Sequence, residues 1–257
     1  MRKKRYKSMV EDLQEFNEGK DLYELVLQFQ KAFGHSYNPS ENPGDWRSLV
    51  GKDRVDRGKW MAEEVMEYIV AGEADQIDQV DALVDLLYFI LGTFVMIGFN
   101  PFIHNKGLKN MAEYGRQMAT YFHEEYGDWH PPAADRLYAG STREWRAKSA
   151  SYAIDLIFDF MKSQFSHRVD ENGQIKSLKK LMDWTLKEAA VIGANLEPYF
   201  LIVHTSNMGK LWPDGRPRYR EDGKVIKPET WESPRGEMRT HMLMELQGEE
   251  DDAEIPF

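Results

Sequence analysis

Residues 61–69 read MAEEVMEYI and residues 81–92 read DALVDLLYFILG. The first stretch sets Glu63, Glu64 and Glu67 within about one helical turn; the second carries Asp81 and Asp85, with Asp78 a turn earlier. Side chains three and four apart on a helix share a side, so each set crowds like charge, at roughly 0.2–0.5 kcal/mol per pair. A solvated acidic face is the usual reason for such a set. The neighbours argue otherwise: Met61, Val65, Met66, Tyr68 and Ile69 are apolar, and no charged residue occurs from Leu86 to Ile103. An ionised carboxylate in such surroundings is costly unless a cation pairs with it. A reversal at AGEAD (71–75) would make the two segments antiparallel helices and set Glu64 and Glu67 opposite Asp81 and Asp85. Facing carboxylates with no histidine or cysteine beside them form a hard-oxygen site suited to Mg2+ or Mn2+. Such an ion with open positions serves a phosphate substrate, and two of them can activate water and stabilise the leaving oxygens of an in-line displacement.

The elements that must position these acids are helical. Leu22, Leu25, Val26, Phe29 and Phe33 follow helical spacing up to Gly34, and HSYNPSENPGDW (35–46) is a loop by composition. Helices are expected from about Val55 to Ala71 and from about Asp75 to Ile97, the latter closed by Gly98 with Pro101 beyond. Further helices are expected within 108–127, 142–165, 178–192 and 197–207, with a turn at DENGQ (170–174) and a loop or small hairpin across DGRPRYREDGKVIKP (214–228). The fold class is all-α. VMIGFNPF and AVIGANLEPYF echo each other, but two short matches do not make a repeat. After Trp231 the chain is polar and then acidic, so 231–257 is expected to be a disordered tail.

Composition narrows the function classes. A net charge of −10 argues against direct binding of nucleic acid. The absence of cysteine removes disulfides, thiolate metal sites and cysteine nucleophiles, and fits a reducing cytoplasm. MRKKRYK at the start is followed by no apolar region, so no signal peptide is expected. The dense apolar run Leu86–Gly98 is shorter than the roughly 20 residues that span a bilayer, so a buried core helix is expected rather than a membrane span. None of the seven histidines forms an H-x-x-x-H or H-E-x-x-H pair, and there is no P-loop, G-x-G-x-x-G or G-x-S-x-G. Arg54, Arg57 and Lys59 of VGKDRVDRGKW supply positive charge beside the acids.

EEVMEY followed by DALVDLLYFILGT resembles the all-α NTP pyrophosphohydrolases: the MazG-like enzymes, dimeric dUTPases and phosphoribosyl-ATP pyrophosphohydrolases. LVLQFQKAFG resembles the first helix of that superfamily. HTSNMGKLWPDGRPRYREDGKVIKP resembles the C-terminal signature of its phosphoribosyl-ATP pyrophosphohydrolase-like branch, common in phage and bacteria. The likeness covers about 20–100 and 190–231, within a domain taken as 1–230. It implies a MazG-like helical bundle that hydrolyses NTP to NMP and pyrophosphate by attack at the α-phosphorus. By the same resemblance Glu64, Glu67, Asp81 and Asp85 hold Mg2+ or Mn2+, and Glu63 binds a further ion or positions the water beside Glu64. Ser206, Asn207, Lys210, Lys224 and Lys227 meet the nucleotide. Two features depart from the pattern. MazG proper spaces its second acid pair by three, whereas Asp81 and Asp85 are four apart. A helical insertion at about 101–190 has no counterpart, and it could be a lid, an oligomer contact or a specificity element.

The resemblance also implies a homo-oligomer, dimer or tetramer, burying Leu86, Phe89, Ile90 and Phe94; the alternative is that the insertion supplies a second pseudo-copy and the monomer suffices. A different class of function, a non-enzymatic helical adaptor, rests on the tail. Its end, Ile255-Pro256-Phe257 after a run of acids, resembles the tip of bacterial single-stranded-DNA-binding proteins, which docks replication and repair proteins. The sequence leaves the base and sugar open.

Overall fold

The computed structural model describes residues 20–39, 45–73, 76–126, 140–163, 171–221 and 224–253; among these, the side chains of 122–126, 171–172 and 248–253 are left aside. The C-terminal tip and DWHPPAADR (128–136) lie outside the described residues. The elements run α1 (Leu22–Ala32), α2 (Gly51–Val70), α3 (Gln76–Ile97), α4 (Pro101–His104), a 3-10 turn (Lys106–Lys109), α5 (Met111–Tyr126), α6 (Arg143–Lys162), α7 (Glu171–Val191), α8 (Leu196–Met208), a hairpin of β1 (Arg218–Tyr219) and β2 (Val225–Ile226), and α9 (Arg235–Ala253). The class is all-α, as expected; the two short strands pair Arg218 with Ile226 and Tyr219 with Val225.

Helix α1 starts on a capping box: Glu24 N–H donates to Asp21 Oδ1 and Asp21 N–H to Glu24 Oε2, both at 2.9 Å. Helix α3 is the axle of the fold. It is long and apolar enough to cross a bilayer, yet it is mostly buried, packed by α1, α2, α7, α8 and α9. It ends at Gly98, whose φ of +91° is a conformation side chains rarely adopt. A Cβ there would also sit 2.3 Å from Asn38 Nδ2, which donates to the carbonyls of Ile97 and Asp45 at 2.9 Å each. That contact and Arg47, whose Nε donates to the Met96 carbonyl at 2.8 Å, pin the loop before α2 to the end of α3.

The region 101–190 is built into the core. Helix α6 packs on α2, and α7 packs on α3, α5 and α6. Trp184 is fully buried in this layer, and Glu188 sits beside it as a buried charge. The Glu188 carboxylate accepts from Tyr68 Oη at 2.9 Å, Trp145 Nε1 at 3.1 Å and Ser149 Oγ, and pairs with Lys187 Nζ at 2.6 Å. These bonds lock α2, α6 and α7 together.

Several expectations are corrected. DENGQ does not form a turn, because α7 already begins at Glu171. The tail is not disordered from Trp231: α9 carries Met238, His241 and Met242 into buried positions against α3 and α8. Spaced three and four apart, these residues make a short stripe strong enough to dock a helix whose overall composition is polar. The burial argument for pairing subunits also changes. Leu86, Ile90 and Phe94 are fully buried by helices of the same chain, α7 and α8 among those that pack on α3.

The echo between VMIGFNPF and AVIGANLEPYF has a structural meaning. Both segments take a long helix into a positive-φ glycine (Gly98, Gly193) and then an asparagine that caps the next helix: Asn100 Oδ1 accepts from Phe102 N–H, and Asn195 Oδ1 from Glu197 N–H. The hairpin α2–α3 and the hairpin α6–α7 thus end alike and pack on each other.

Candidate active site

The acids of α2 and α3 open onto a cleft of about 500 Å3. Glu64 and Asp85 line one end of it, joined by Asn207 and Lys210 from the end of α8 and the turn beyond. The rest is lined mainly by Phe29, Gln30, Asp53, Arg57, Trp60, Tyr88, Phe89 and Gly92. Tyr88 is fixed from behind: its hydroxyl lies 3.1 Å from His204 Nδ1, and its ring stacks on Phe200 at 5.1 Å.

Electrostatics mark Glu64 and Asp85. Burial, then the charges of Asp85, Glu67, Asp81 and Glu63, push the Glu64 carboxyl up to about 8. Burial and Asp81 push Asp85 up to about 7, against the opposing pull of Lys210. Asp81 is raised as well, by burial first, with Arg235 working against it. Lys210 is lowered by burial and by the nearby Lys227, and its Nζ donates to Asn207 Oδ1 at 2.6 Å.

Of the residues expected at the site, four meet in the cleft: Glu64, Asp85, Asn207 and Lys210. Glu67, which is exposed, and Asp81, half-buried, do not line the cleft but act on both carboxyls through charge. Glu63 is not drawn in; it is exposed, with its carboxylate 3.9 Å from Lys59 on its own helix. Asp78 pairs with Arg235 of α9. The Ser206 hydroxyl is spent on structure, donating to the Glu232 carbonyl at 3.1 Å, while Trp231 Nε1 donates to the Ser206 carbonyl at 2.9 Å. Lys227 lies over the Trp231 ring at 3.6 Å, and the Lys224 carbonyl accepts from Arg220 N–H at the hairpin; neither lysine lines the cleft.

The donor set fits a divalent cation by its chemistry, since the Glu64 and Asp85 carboxylates offer hard oxygens. Glu64 Oε2 is buried with no hydrogen-bond partner, which a cation would remedy. Among the described residues, no three acidic or imidazole side chains are close enough to enclose an ion as they stand, so binding requires Glu67 or Asp81 to rotate inward.

Residues the acid pattern did not reveal are Gln30, Asp53 and the aromatic wall of Phe29, Trp60, Tyr88 and Phe89. One signal for them was available: Gly92, a lone glycine inside a strongly apolar helix, marks a close approach.

Residues 26–102 match the family model described as phosphoribosyl-ATP pyrophosphohydrolase. That segment contains the last two turns of α1 and the whole of α2 and α3, the helices that carry the acids. A solved structure of a candidate NTP pyrophosphohydrolase from Exiguobacterium sp. 255-15 aligns over 90% of this chain and 98% of its own, at 20% identity and a TM-score of 0.45. No curated protein matches the chain.

Proposed function

We propose that the chain is a metal-dependent nucleoside triphosphate pyrophosphohydrolase, converting (d)NTP and water to (d)NMP and pyrophosphate by attack at the α-phosphorus. The observation that carries this reading is a cleft lined by two repelling carboxyls and a half-buried lysine together with the aromatic side chains of Phe29, Trp60, Tyr88 and Phe89. That combination matches a ligand with a charged phosphate chain and a flat apolar base.

Glu64 and Asp85, with Glu67 and Asp81 turning in from the same helices, would hold Mg2+ or Mn2+. When bound, the cation supplies charge neutralisation to the phosphates and acidifies a water. Lys210 offers its Nζ to a phosphate oxygen as a point charge, leaving Asn207 Oδ1 free to accept from the sugar or a water. With one oxygen of Glu64 on the cation, its other carboxylate oxygen would take the proton of the attacking water. Phe29, Trp60 and Phe89 exclude bulk water and hold the base, fixing the α-phosphorus relative to the acids.

The test is direct. Purified chain with a panel of (d)NTPs and Mg2+ should release pyrophosphate and monophosphate in equal amounts, and in 18O-water the label should appear in the monophosphate. Asp85→Asn should lower kcat by about 100-fold or more while the helical circular dichroism is unchanged. Release of orthophosphate, label in pyrophosphate, or no turnover with any nucleotide would sink the reading.

A further inference from the structure

The wall of the cleft away from the acids carries polar groups that phosphate chemistry leaves unused. Gln30 is 2% exposed, and its Nε2 donates to the Gly92 carbonyl at 3.0 Å. Its Oε1 is buried, borders the cleft residues, and has no hydrogen-bond partner. An unsatisfied buried acceptor is destabilising, and a ligand donor would remove that cost. Beside it lies the guanidinium of Arg57, over the Trp60 ring at 5.3 Å and with Nε 3.2 Å from Met96 Sδ. Burial lowers Arg57 to about 10, with Asp53 acting against the shift, so it stays charged at neutral pH.

Gly92 makes room for both heads. Arg57 Nη1 and Gln30 Nε2 each lie 3.0 Å from where a Cβ on residue 92 would sit. Glycine in mid-helix is unfavourable against alanine, and here it admits two polar side chains to one spot of an otherwise apolar helix. An aromatic pair adjoins them, offering a face on which a base can lie: the Trp60 and Phe89 rings are 5.8 Å apart and inclined by 32°.

Resting on the nucleotide reading above, we propose that this wall reads the base and that the base is guanine. Guanine presents two neighbouring acceptors, N7 and O6, followed by two neighbouring donors, N1–H and the 2-amino group. Arg57 is a fork of donors suited to the first pair. Gln30 Oε1 and the Asp53 carboxylate, one helical turn from Arg57, are acceptors for the second. Adenine and cytosine place an amino donor where O6 lies in guanine, against a guanidinium that can only donate. Uracil and thymine lack the second donor and leave Asp53 unanswered.

Two measurements separate the base reading from the hydrolase reading. Calorimetry with GMP, AMP, CMP and UMP needs no catalysis; GMP should bind about tenfold or more tighter than the others. Steady-state kcat/KM for the triphosphates should show the same order. Asp53→Asn, at an exposed position, and Arg57→Lys, which keeps the charge but loses the fork, should each reduce the guanine preference by about tenfold. Gln30→Leu should do the same, with its melting temperature as the check on folding. Selective GMP binding without turnover of any triphosphate would keep the base reading and remove the hydrolase. Turnover with no base preference, or a preference for another base, would overturn the guanine proposal and leave the hydrolase standing. Equal or absent binding of all four monophosphates, without turnover, would remove both.

Discussion

Asp85→Asn should make the protein more stable when no divalent cation is present. Asp85 is half-buried on α3, and burial together with Asp81 raises its carboxyl from 3.8 to about 7. A group whose folded pKa is raised contributes stability at low pH that is lost as pH rises through the folded value. At pH 8 the ionised wild-type side chain therefore carries a penalty of up to about 4 kcal/mol. Asparagine has the same shape and no charge, so it escapes most of that penalty. Allowing for relaxation, a gain of about 1–3 kcal/mol is expected, or roughly 2–10 °C in Tm for a chain of this size. The assay is thermal melting of both proteins in chelator at pH 8 and again near pH 4, where the advantage should vanish. Mg2+ should reverse the order: at about 100-fold above its Kd it adds roughly 2.7 kcal/mol to wild type and much less to the variant. A variant less stable than wild type in chelator at pH 8 would make Asp85 a structural partner of Lys210. Equal Mg2+ shifts in both proteins would remove it from the cation site.

Other consequences follow from the same coordinates. His204 and His241 are buried and lowered to about 4, so each adds stability above pH 6.5 that is lost as pH falls through 4, by up to about 3 kcal/mol. An acid titration followed at 222 nm should show unfolding over that range, and His241→Leu should move its midpoint to lower pH. Glu188→Ala leaves Lys187 buried without its carboxylate and should cost about 3–5 kcal/mol in urea unfolding, with Glu188→Gln milder. Because α3 is covered within one chain, light scattering at micromolar concentration should find a 30.0 kDa species, and a stable dimer would show an interface elsewhere.

How far the sequence could be read depends on which interactions are local. The acids on α2 and α3 were legible because helical spacing fixes which side chains share a face, and Glu64 and Asp85 do meet. Glu63 was not separable from Glu64 by type. Only the rotation of α2 against α3, set by Met61, Val65 and Tyr68 entering the core, turns Glu63 outward. Ser206 shows the limit of a motif: its hydroxyl is committed to the Glu232 carbonyl, a contact made across 26 residues. The segment 101–190 was opaque for a related reason. Its helices bury Glu188, Lys187, Arg146 and Gln174, so their apolar stripe is broken by polar residues whose partners include groups distant in the chain, such as Tyr68 Oη, the Ala71 carbonyl and the Leu49 backbone.

The glycine–asparagine endings of α3 and α7 also bear on how many sites a chain has. Counting back from Gly98, Asp85 and Asp81 precede it by 13 and 17 residues; the same intervals before Gly193 fall on Lys180 and Lys176. Both lysines are exposed, and the carboxylate that α7 does bury, Glu188, is consumed by Tyr68, Trp145, Ser149 and Lys187. The second hairpin therefore repeats the helix endings without the cation chemistry. Apart from Arg146 Nε, the buried polar groups named in that hairpin find partners within the chain and hold α2 in place, whereas the acceptors Glu64 Oε2 and Gln30 Oε1 remain unanswered beside the cleft. With lysines where the first hairpin has its aspartates, the second has no carboxylate pair there to hold a cation, which is the physical reason to expect a single cation-and-nucleotide site in each chain.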